Sequence, residues 1–147
     1  MLTRRAFLRK LDAAQVEAAI RRAEAQTSGE IRVSVAGFFH GNTQRLAERA
    51  FARLGMAATR HQNAVLLLIA PGRRRMAVVG GAGIHARVGQ PFWTALIAEL
   101  QAKLRAGPVT DAVVESVDRI GRELATHFPV DPGGDVNELP DTIDVVG

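Results

Sequence analysis

The stretch Thr27-Ser28-Gly29-Glu30-Ile31-Arg32-Val33 is where a predicted helix ends and a predicted strand begins. Upstream of it, Asp12 and Gln15 have the spacing of a capping box, which predicts a helix that begins at residue 13 and ends at Gly29. After Glu30, apolar and polar side chains alternate, as they do along a strand with one apolar face. The stretch therefore predicts a turn between two elements, with a carboxylate at the start of the strand.

Working outward, the rest of the chain alternates between helical and strand patterns. Residues 42–54 have helical periodicity, and residues 65–70 form a continuous apolar run that is typical of a covered central strand. Residues 76–79 predict a third strand that forms an antiparallel hairpin with the second. Two more helices are predicted over residues 91–106 and 111–128. The order predicts the α/β class: a three-layer α/β/α sandwich with a small mixed β-sheet.

The length and composition limit the kinds of site. A chain of 147 residues has the size of one domain, and we expect residues 1–130 to form it. The chain has no cysteine, which excludes disulfides, thiolate metal sites and cysteine nucleophiles. Residues 131–147 contain five acidic and no basic side chains with little periodicity, so they are predicted to be a flexible acidic tail.

The charge is unevenly distributed along the chain. Residues 1–75 carry 14 basic and 5 acidic side chains, whereas residues 76–147 carry 5 basic and 10 acidic ones. Nucleic acid is not an expected partner, because no aromatic side chains lie among the basic ones to stack on bases. The longest apolar run, 64–71, is shorter than the ~20 residues of a membrane span, and the arginine pair near the start is not followed by the apolar run of an export signal. We expect a soluble, cytoplasmic protein with no membrane span.

The predicted topology brings three segments together. A right-handed crossover makes the first two strands parallel, and the hairpin reverses the third, so Glu30, Asn63 and the turn 80–83 should share one edge of the sheet. Glu30 and Asn63 offer oxygen ligands to a hard cation, and Gly81 and Gly83 leave the backbone open to close approach by a cation or a phosphate. A purely structural interpretation is equally open, in which the glycines serve only the turn, Glu30 pairs with a nearby base and Asn63 caps the loop.

Other motifs give weaker indications. Residues 81–86 match a dinucleotide-binding pattern, but they follow a hairpin strand rather than a first βαβ unit, so no nucleotide cofactor is predicted. The four histidines lack the spacing of a metal site, and no nucleophile motif is present. The basic run 73–75 could bind an anion, although a solvated hairpin tip is its commoner use.

Several short motifs, taken in order and spacing, resemble the TPM-domain family, which includes thylakoid-lumen phosphatase-like, photosystem-repair and receptor-modulating proteins. The likeness is greatest to its small soluble bacterial branch. The motifs that carry it are Thr27–Val33, Leu54-Gly55-Met56, Asn63 with Val65–Ala70, Gly80–Ile84, Val88-Gly89 with Phe92-Trp93, Phe128-Pro129 and Asn137–Asp141.

The resemblance implies an α/β/α sandwich and, as in some members, Ca²⁺ or Mg²⁺ binding with acid-phosphatase-like activity on phosphomonoesters. Carried over, the implied metal site is Glu30, Asn63, Gly81 and Gly83, with the catalytic residues unknown. Relatives of this branch often have an acidic residue where this chain has Gly81, which implies weak or absent metal affinity here. The alternative is a non-catalytic accessory domain that binds a protein partner through its polarised surface and the acidic residues 137–144.

Overall fold

The computed structural model describes residues 3–131 and 138–146. Within these residues the α-helices and β-strands follow one another in the order α1 (Arg4–Lys10), α2 (Ala13–Glu24), β1 (Glu30–Ala36), α3 (Thr43–Arg53), β2 (Ala64–Ala70), β3 (Arg75–Gly80), α4 (Ala82–Ala106), α5 (Val109–His127) and β4 (Asp144–Val146), with short 3₁₀ turns at Met56–Ala58 and Pro71–Arg73. None of the helices in these ranges has the length and apolar character that crossing a bilayer requires.

Side-chain caps explain where α2 begins. Asp12 Oδ1 accepts a hydrogen bond from the Gln15 backbone N–H at 3.2 Å, and the Gln15 side-chain amide donates to Asp12 Oδ2 at 2.9 Å. The predicted start of this helix is therefore confirmed. Its predicted end is wrong: α2 stops at Glu24, and residues 25–28 form a turn in which Thr27 Oγ1 accepts from the Gly29 N–H at 3.0 Å.

Two other helices differ from the sequence predictions. The helix α1 was not predicted; the Thr3 hydroxyl caps it. The helix α4 begins at Ala82, nine residues before the predicted start at Pro91. Gly89 (φ 73°, ψ 170°) breaks it into two helical segments, and Pro91 lies just after the break. The sequence pattern therefore identified only the second segment.

The four strands form one mixed sheet in the order β3-β2-β1-β4. The strand β1 runs parallel to β2 with Glu30 opposite Ala64, and β2 runs antiparallel to β3 with Val65 opposite Gly80. The helices α2, α4 and α5 cover one face, where their apolar side chains enclose Ile31, and α3 covers the other face. The predicted α/β/α sandwich with a small mixed sheet is confirmed.

The C-terminal segment completes the sheet. The strand β4 pairs in parallel with β1, and Asp144 accepts hydrogen bonds from the Ser34 hydroxyl and the Arg53 guanidinium, each at 3.0 Å. The prediction of a flexible tail over 131–147 therefore does not hold for residues 144–146; residues 132–137 and 147 lie outside the described part of the chain. The short acidic strand escaped prediction because its stabilising contacts are all with distant residues.

We expect Leu139→Ala to lower the free energy of unfolding by about 2 kcal/mol, because the Leu139 side chain is 9% exposed and packs in the apolar cluster beneath α3. Urea unfolding followed by circular dichroism measures the change. Val145→Ala is the matched control: Val145 also lies in the C-terminal segment but is 47% exposed, so its loss should cost less than about 0.5 kcal/mol. Equal stability of the two variants would mean that residue 139 contributes nothing to the core.

Candidate functional site

Three segments that are distant in sequence meet at one edge of the sheet, as the topology predicts. The pairing of Glu30 with Ala64 aligns the starts of β1 and β2, and the Gly81 N–H donates to the Ala64 carbonyl at 2.9 Å. The end of β3 therefore lies against the start of β2. The backbones around Glu30, Asn63 and Gly81 are neighbours in the fold.

The turn at Gly81 and Gly83 is filled by the chain itself. A Cβ on Gly81 would lie 2.4 Å from the Gln62 carbonyl oxygen, and one on Gly83 would lie 2.3 Å from the His61 carbonyl oxygen. The Gly83 N–H also donates to the Gln62 carbonyl, at 2.8 Å. Because both glycine amides already donate to carbonyls of residues 62 and 64, the contacts favour a packing role for these glycines over a ligand-binding one.

Asn63 links two of the converging segments. Its side chain is buried, and its amide Nδ2 donates to the Ser28 hydroxyl at 3.2 Å. A buried amide that bridges two strand starts holds them in register, which is a structural role different from the loop capping that the sequence left open for this residue.

Glu30 is held by the C-terminal segment. Its side chain is 3% exposed, and Oε1 accepts a hydrogen bond from the Leu139 N–H at 2.7 Å. Burial raises the pKa of the Glu30 carboxyl to about 7, with smaller upward contributions from the charges of Glu138 and Asp141 and opposing ones from the backbone N–H groups of residues 138 and 139. A close ion pair with a base such as Arg32 would lower this pKa, and the Arg32 guanidinium instead donates to the Thr142 carbonyl at 3.3 Å.

Glu24 is the site residue that the sequence analysis missed. Its Oε2 accepts from the Ile31 N–H at 2.9 Å. Burial, followed by a side-chain hydrogen bond with Asp141, raises the pKa of Glu24 to about 9; the Ile31 N–H opposes this rise, and the charges of Asp141 and Glu30 make smaller upward contributions. Two carboxyl groups can share a hydrogen bond only if one of them carries a proton, so this contact adds to the effect of burial in favouring the protonated form of Glu24.

We call Glu24, Glu30, Glu138 and Asp141 the carboxylate rim. Glu138 is included because its charge raises the pKa of Glu30. The Glu138 Oε1 also accepts a hydrogen bond from the Arg60 N–H at 3.3 Å. The donor set consists of hard oxygens, as Ca²⁺ and Mg²⁺ require. In the part of the chain that the structure describes, however, no three acidic or histidine side chains already form a metal-binding group.

One local signal could have identified Glu24. It is the last residue of α2 and lies six residues before Glu30, so a short turn places its side chain beside the start of β1. The contribution of residues 138–141 has no such local signal. The histidines near this edge have protein partners: His61 Nε2 lies 3.1 Å from both Asp131 carboxylate oxygens, and His85 Nδ1 accepts from the Trp93 indole at 3.0 Å.

A sequence profile described as the TPM domain matches residues 3–123. The chain belongs to the TPM-domain family. The match covers α1 to most of α5, so the TPM domain proper contains Glu24 and Glu30, whereas Glu138 and Asp141 lie beyond the matched residues. A comparison with curated proteins gives no match.

Solved structures resemble the whole TPM domain. The BA42 protein of the psychrophilic bacterium Bizionia argentinensis is 32% identical over 92% of this chain and 94% of its own, with a TM-score of 0.82. The N-terminal domain of a protein from P. gingivalis is 18% identical over 80% of this chain and 78% of its own, with a TM-score of 0.67. The N-terminal domain of cg2496 from Corynebacterium glutamicum is 15% identical over 85% and 77%, with a TM-score of 0.60. The last two show likeness of fold alone.

Proposed function

We propose that this TPM domain binds a divalent cation, Ca²⁺ or Mg²⁺, at the carboxylate rim and that phosphomonoester hydrolysis is the reaction that such binding would support. The observation that carries the proposal is the contact between Glu24 and Asp141, which brings two carboxyl groups together beside the buried Glu30. Proteins seldom bury several carboxyl groups together without a functional reason, because each raises the energetic cost of ionising the others.

Binding of a cation to the carboxylate rim should displace the proton that Glu24 carries. With no cation, the Glu24 proton relieves repulsion between the clustered carboxyl groups, as its pKa of about 9 indicates. A hard cation takes the place of that proton, because oxygen ligands bind it in their deprotonated form. Binding should therefore release protons and should strengthen as the pH rises toward 9.

The residues that would hold the cation are Glu24, Glu30 and Asp141, with Asn63 keeping the two strand starts in register. A bound cation would supply charge that polarises a phosphoryl oxygen and lowers the pKa of water. Arg32 lies two residues after Glu30 on the same face of β1, and its positive charge favours an anionic phosphate nearby. Gly81 and Gly83 contribute the close packing of the edge rather than ligands.

The alternative, an accessory domain that binds a protein partner through its acidic tail, has less support. Asp144 binds Ser34 and Arg53, Glu138 accepts from the Arg60 N–H, and Asp141 bonds to Glu24. These acidic groups are occupied within the chain, so they are poorly placed to recruit another protein.

Calorimetric titration with Ca²⁺ and with Mg²⁺ at pH 5.5 and pH 8 tests cation binding. We expect binding at pH 8 to release protons and to be at least about tenfold tighter than at pH 5.5, because the proton and the cation compete for the same oxygens. Glu30→Gln should weaken binding at least about tenfold. Glu48→Gln, an exposed acid on α3, is the matched control and should bind as the wild type does.

Turnover of p-nitrophenyl phosphate by the same proteins tests the reaction. Activity that requires the added cation and falls in Glu30→Gln but not in Glu48→Gln supports the proposal. Activity that is insensitive to Glu30→Gln removes Glu30 from the mechanism. Absence of both cation binding and turnover at pH 8 contradicts the proposal and favours the accessory role.

A further inference from the structure

A cleft of about 440 Å³ lies at the opposite end of β2 and β3 from the carboxylate rim. Its floor is where β2 ends, at Ile69 and Ala70, and where β3 begins, at Met76. The helix α1 and the junction between α4 and α5 form its walls. A separation of about five strand residues, or roughly 17 Å, makes this cleft independent of the proposed cation site.

The floor and part of the walls of the cleft are apolar. Ile69 is fully buried at its floor, and Met76, Leu104 and Val109 are only partly buried although they border the main core. Partly buried aliphatic side chains around one concave surface leave apolar area that a ligand can cover. The volume is within the range of small-molecule sites, which are mostly apolar with a few placed polar groups.

Two arginines supply the polar groups. Arg74 lines the cleft from the β2–β3 connection, and Arg105 lines it from the last turn of α4. Both are exposed, and within residues 3–131 and 138–146 neither guanidinium has an ion pair or a hydrogen bond. The neighbouring Arg73 differs, because its guanidinium donates to the carbonyls of Phe39 and Gly41 and stacks over the Phe39 ring at 3.9 Å.

The backbone fixes the position of Arg74. It adopts the left-handed conformation (φ 53°, ψ 40°), and its N–H donates to the Pro71 carbonyl at 3.2 Å. Non-glycine residues adopt this conformation infrequently, and here it closes the 3₁₀ turn that follows β2. The described lining of the cleft contains no acidic side chain, so the two positive charges are not neutralised at this surface.

We propose that this cleft binds an amphipathic organic anion, a free aliphatic carboxylate whose hydrocarbon chain covers Met76, Leu104 and Val109 while its carboxylate pairs with Arg74 and Arg105. Charge complementarity selects this class of ligand. A neutral alcohol would leave both guanidinium groups without an anion, and a cationic amphiphile would be repelled by them. A short polar anion would bind without covering the apolar floor.

Sodium decanoate is the probe, added to ¹³C-methyl-labelled protein at concentrations at which it is monomeric. We expect saturable chemical-shift changes in the methyl groups of Leu104, Val109 and Met76, with methyl groups near the carboxylate rim unaffected. Acetate, decanol and decyltrimethylammonium should each bind at least about tenfold more weakly than decanoate, because each lacks either the apolar chain or the negative charge.

Variants of the two arginines separate charge from folding. Arg74→Asn removes the guanidinium and keeps a side chain that tolerates the left-handed conformation, and Arg105→Gln removes the second charge from a helix. Each should weaken decanoate binding about three- to fivefold, and the double variant about tenfold. Arg105→Lys keeps the charge and should bind within about twofold of the wild type. Arg49→Gln, an exposed arginine on α3 across the sheet, is the control and should not change binding.

Three results would overturn the proposal. The first is equal binding of decanoate and decyltrimethylammonium. The second is decanoate binding that the double arginine variant does not weaken in a protein with unchanged methyl spectra. The third is absence of decanoate binding together with binding to vesicles that contain anionic phospholipid, which would assign the arginines to a membrane surface instead.

Discussion

Gly81→Ala should destabilise the fold by more than about 3 kcal/mol, and Gly83→Ala should have an effect of similar size. A Cβ at either position would lie 2.3 to 2.4 Å from a backbone carbonyl oxygen of residues 61–62. A carbonyl held between the start of β2 and the start of α4 cannot move aside as the end of a flexible side chain can. The substitution must therefore separate α4 from β2 or distort both, which costs more than ordinary overpacking.

The backbone conformation of Gly81 allows this result to be interpreted simply. Gly81 has φ −59° and ψ 161°, which any residue can adopt, so alanine brings a steric cost without conformational strain. Gly107→Ala is the matched control, because a Cβ there would lie 3.9 Å from its nearest neighbour, the Lys103 carbonyl oxygen, in extended backbone. Urea unfolding should find Gly107→Ala within about 1 kcal/mol of the wild type. If Gly81→Ala is as stable as Gly107→Ala, the close contact between the turn and residues 61–62 is not present in solution.

The packing around Gly81 also bears on the acidic residue that the resemblance implies at this position in relatives. An acidic side chain at position 81 cannot be added to the present backbone, because its Cβ would overlap the Gln62 carbonyl. The carboxyl groups of the carboxylate rim come from the end of α2, from the start of β1 and from residues 138–141. This edge of the sheet is therefore acidic without a carboxylate at position 81.

The strands β1, β2 and β3 were predictable because the patterns that specify them lie within short stretches of sequence. Alternation after Glu30, the apolar run of β2 and the short β2–β3 connection set strand directions, and directions decide which strand ends share an edge. The segments around Glu30, Asn63 and Gly81 were brought together on that basis, and the register pairs confirm that they are adjacent.

The partners of Glu30 were not predictable in the same way. The strand β4 has three residues, and its pairing with β1 depends on side chains such as Ser34 that lie about 110 positions away in sequence. The bond from Leu139 to Glu30 spans a similar distance. Local patterns carry no information about such pairs, and an acidic composition predicts a solvated tail.

The free energy of unfolding should fall by several kcal/mol between pH 5.5 and pH 8.5 in the absence of divalent cations, with about 4 kcal/mol of the change from Glu24 and about 2 kcal/mol from Glu30. The pKa values of Glu24 and Glu30 are raised to about 9 and about 7 in the folded chain, against an ordinary value of 4.5. Across this range the folded protein keeps protons that the unfolded chain releases, so unfolding is favoured as the pH rises. The stabilisation is complete below pH 4.5 and is lost as the pH passes through about 7 and then about 9.

Glu24→Gln should remove most of that slope. The glutamine amide can donate to Asp141 as the protonated carboxyl does, and its carbonyl oxygen can still accept from the Ile31 N–H. The free energy of unfolding of the variant should therefore exceed that of the wild type by about 1 kcal/mol at pH 5.5 and by about 5 kcal/mol at pH 8.5. Urea unfolding at the two pH values measures both, with Glu48→Gln expected to keep the wild-type slope. A Glu24→Gln profile that is as steep as that of the wild type would mean that Glu24 is already ionised in the folded protein, and the exchange of its proton for a cation would then have no basis.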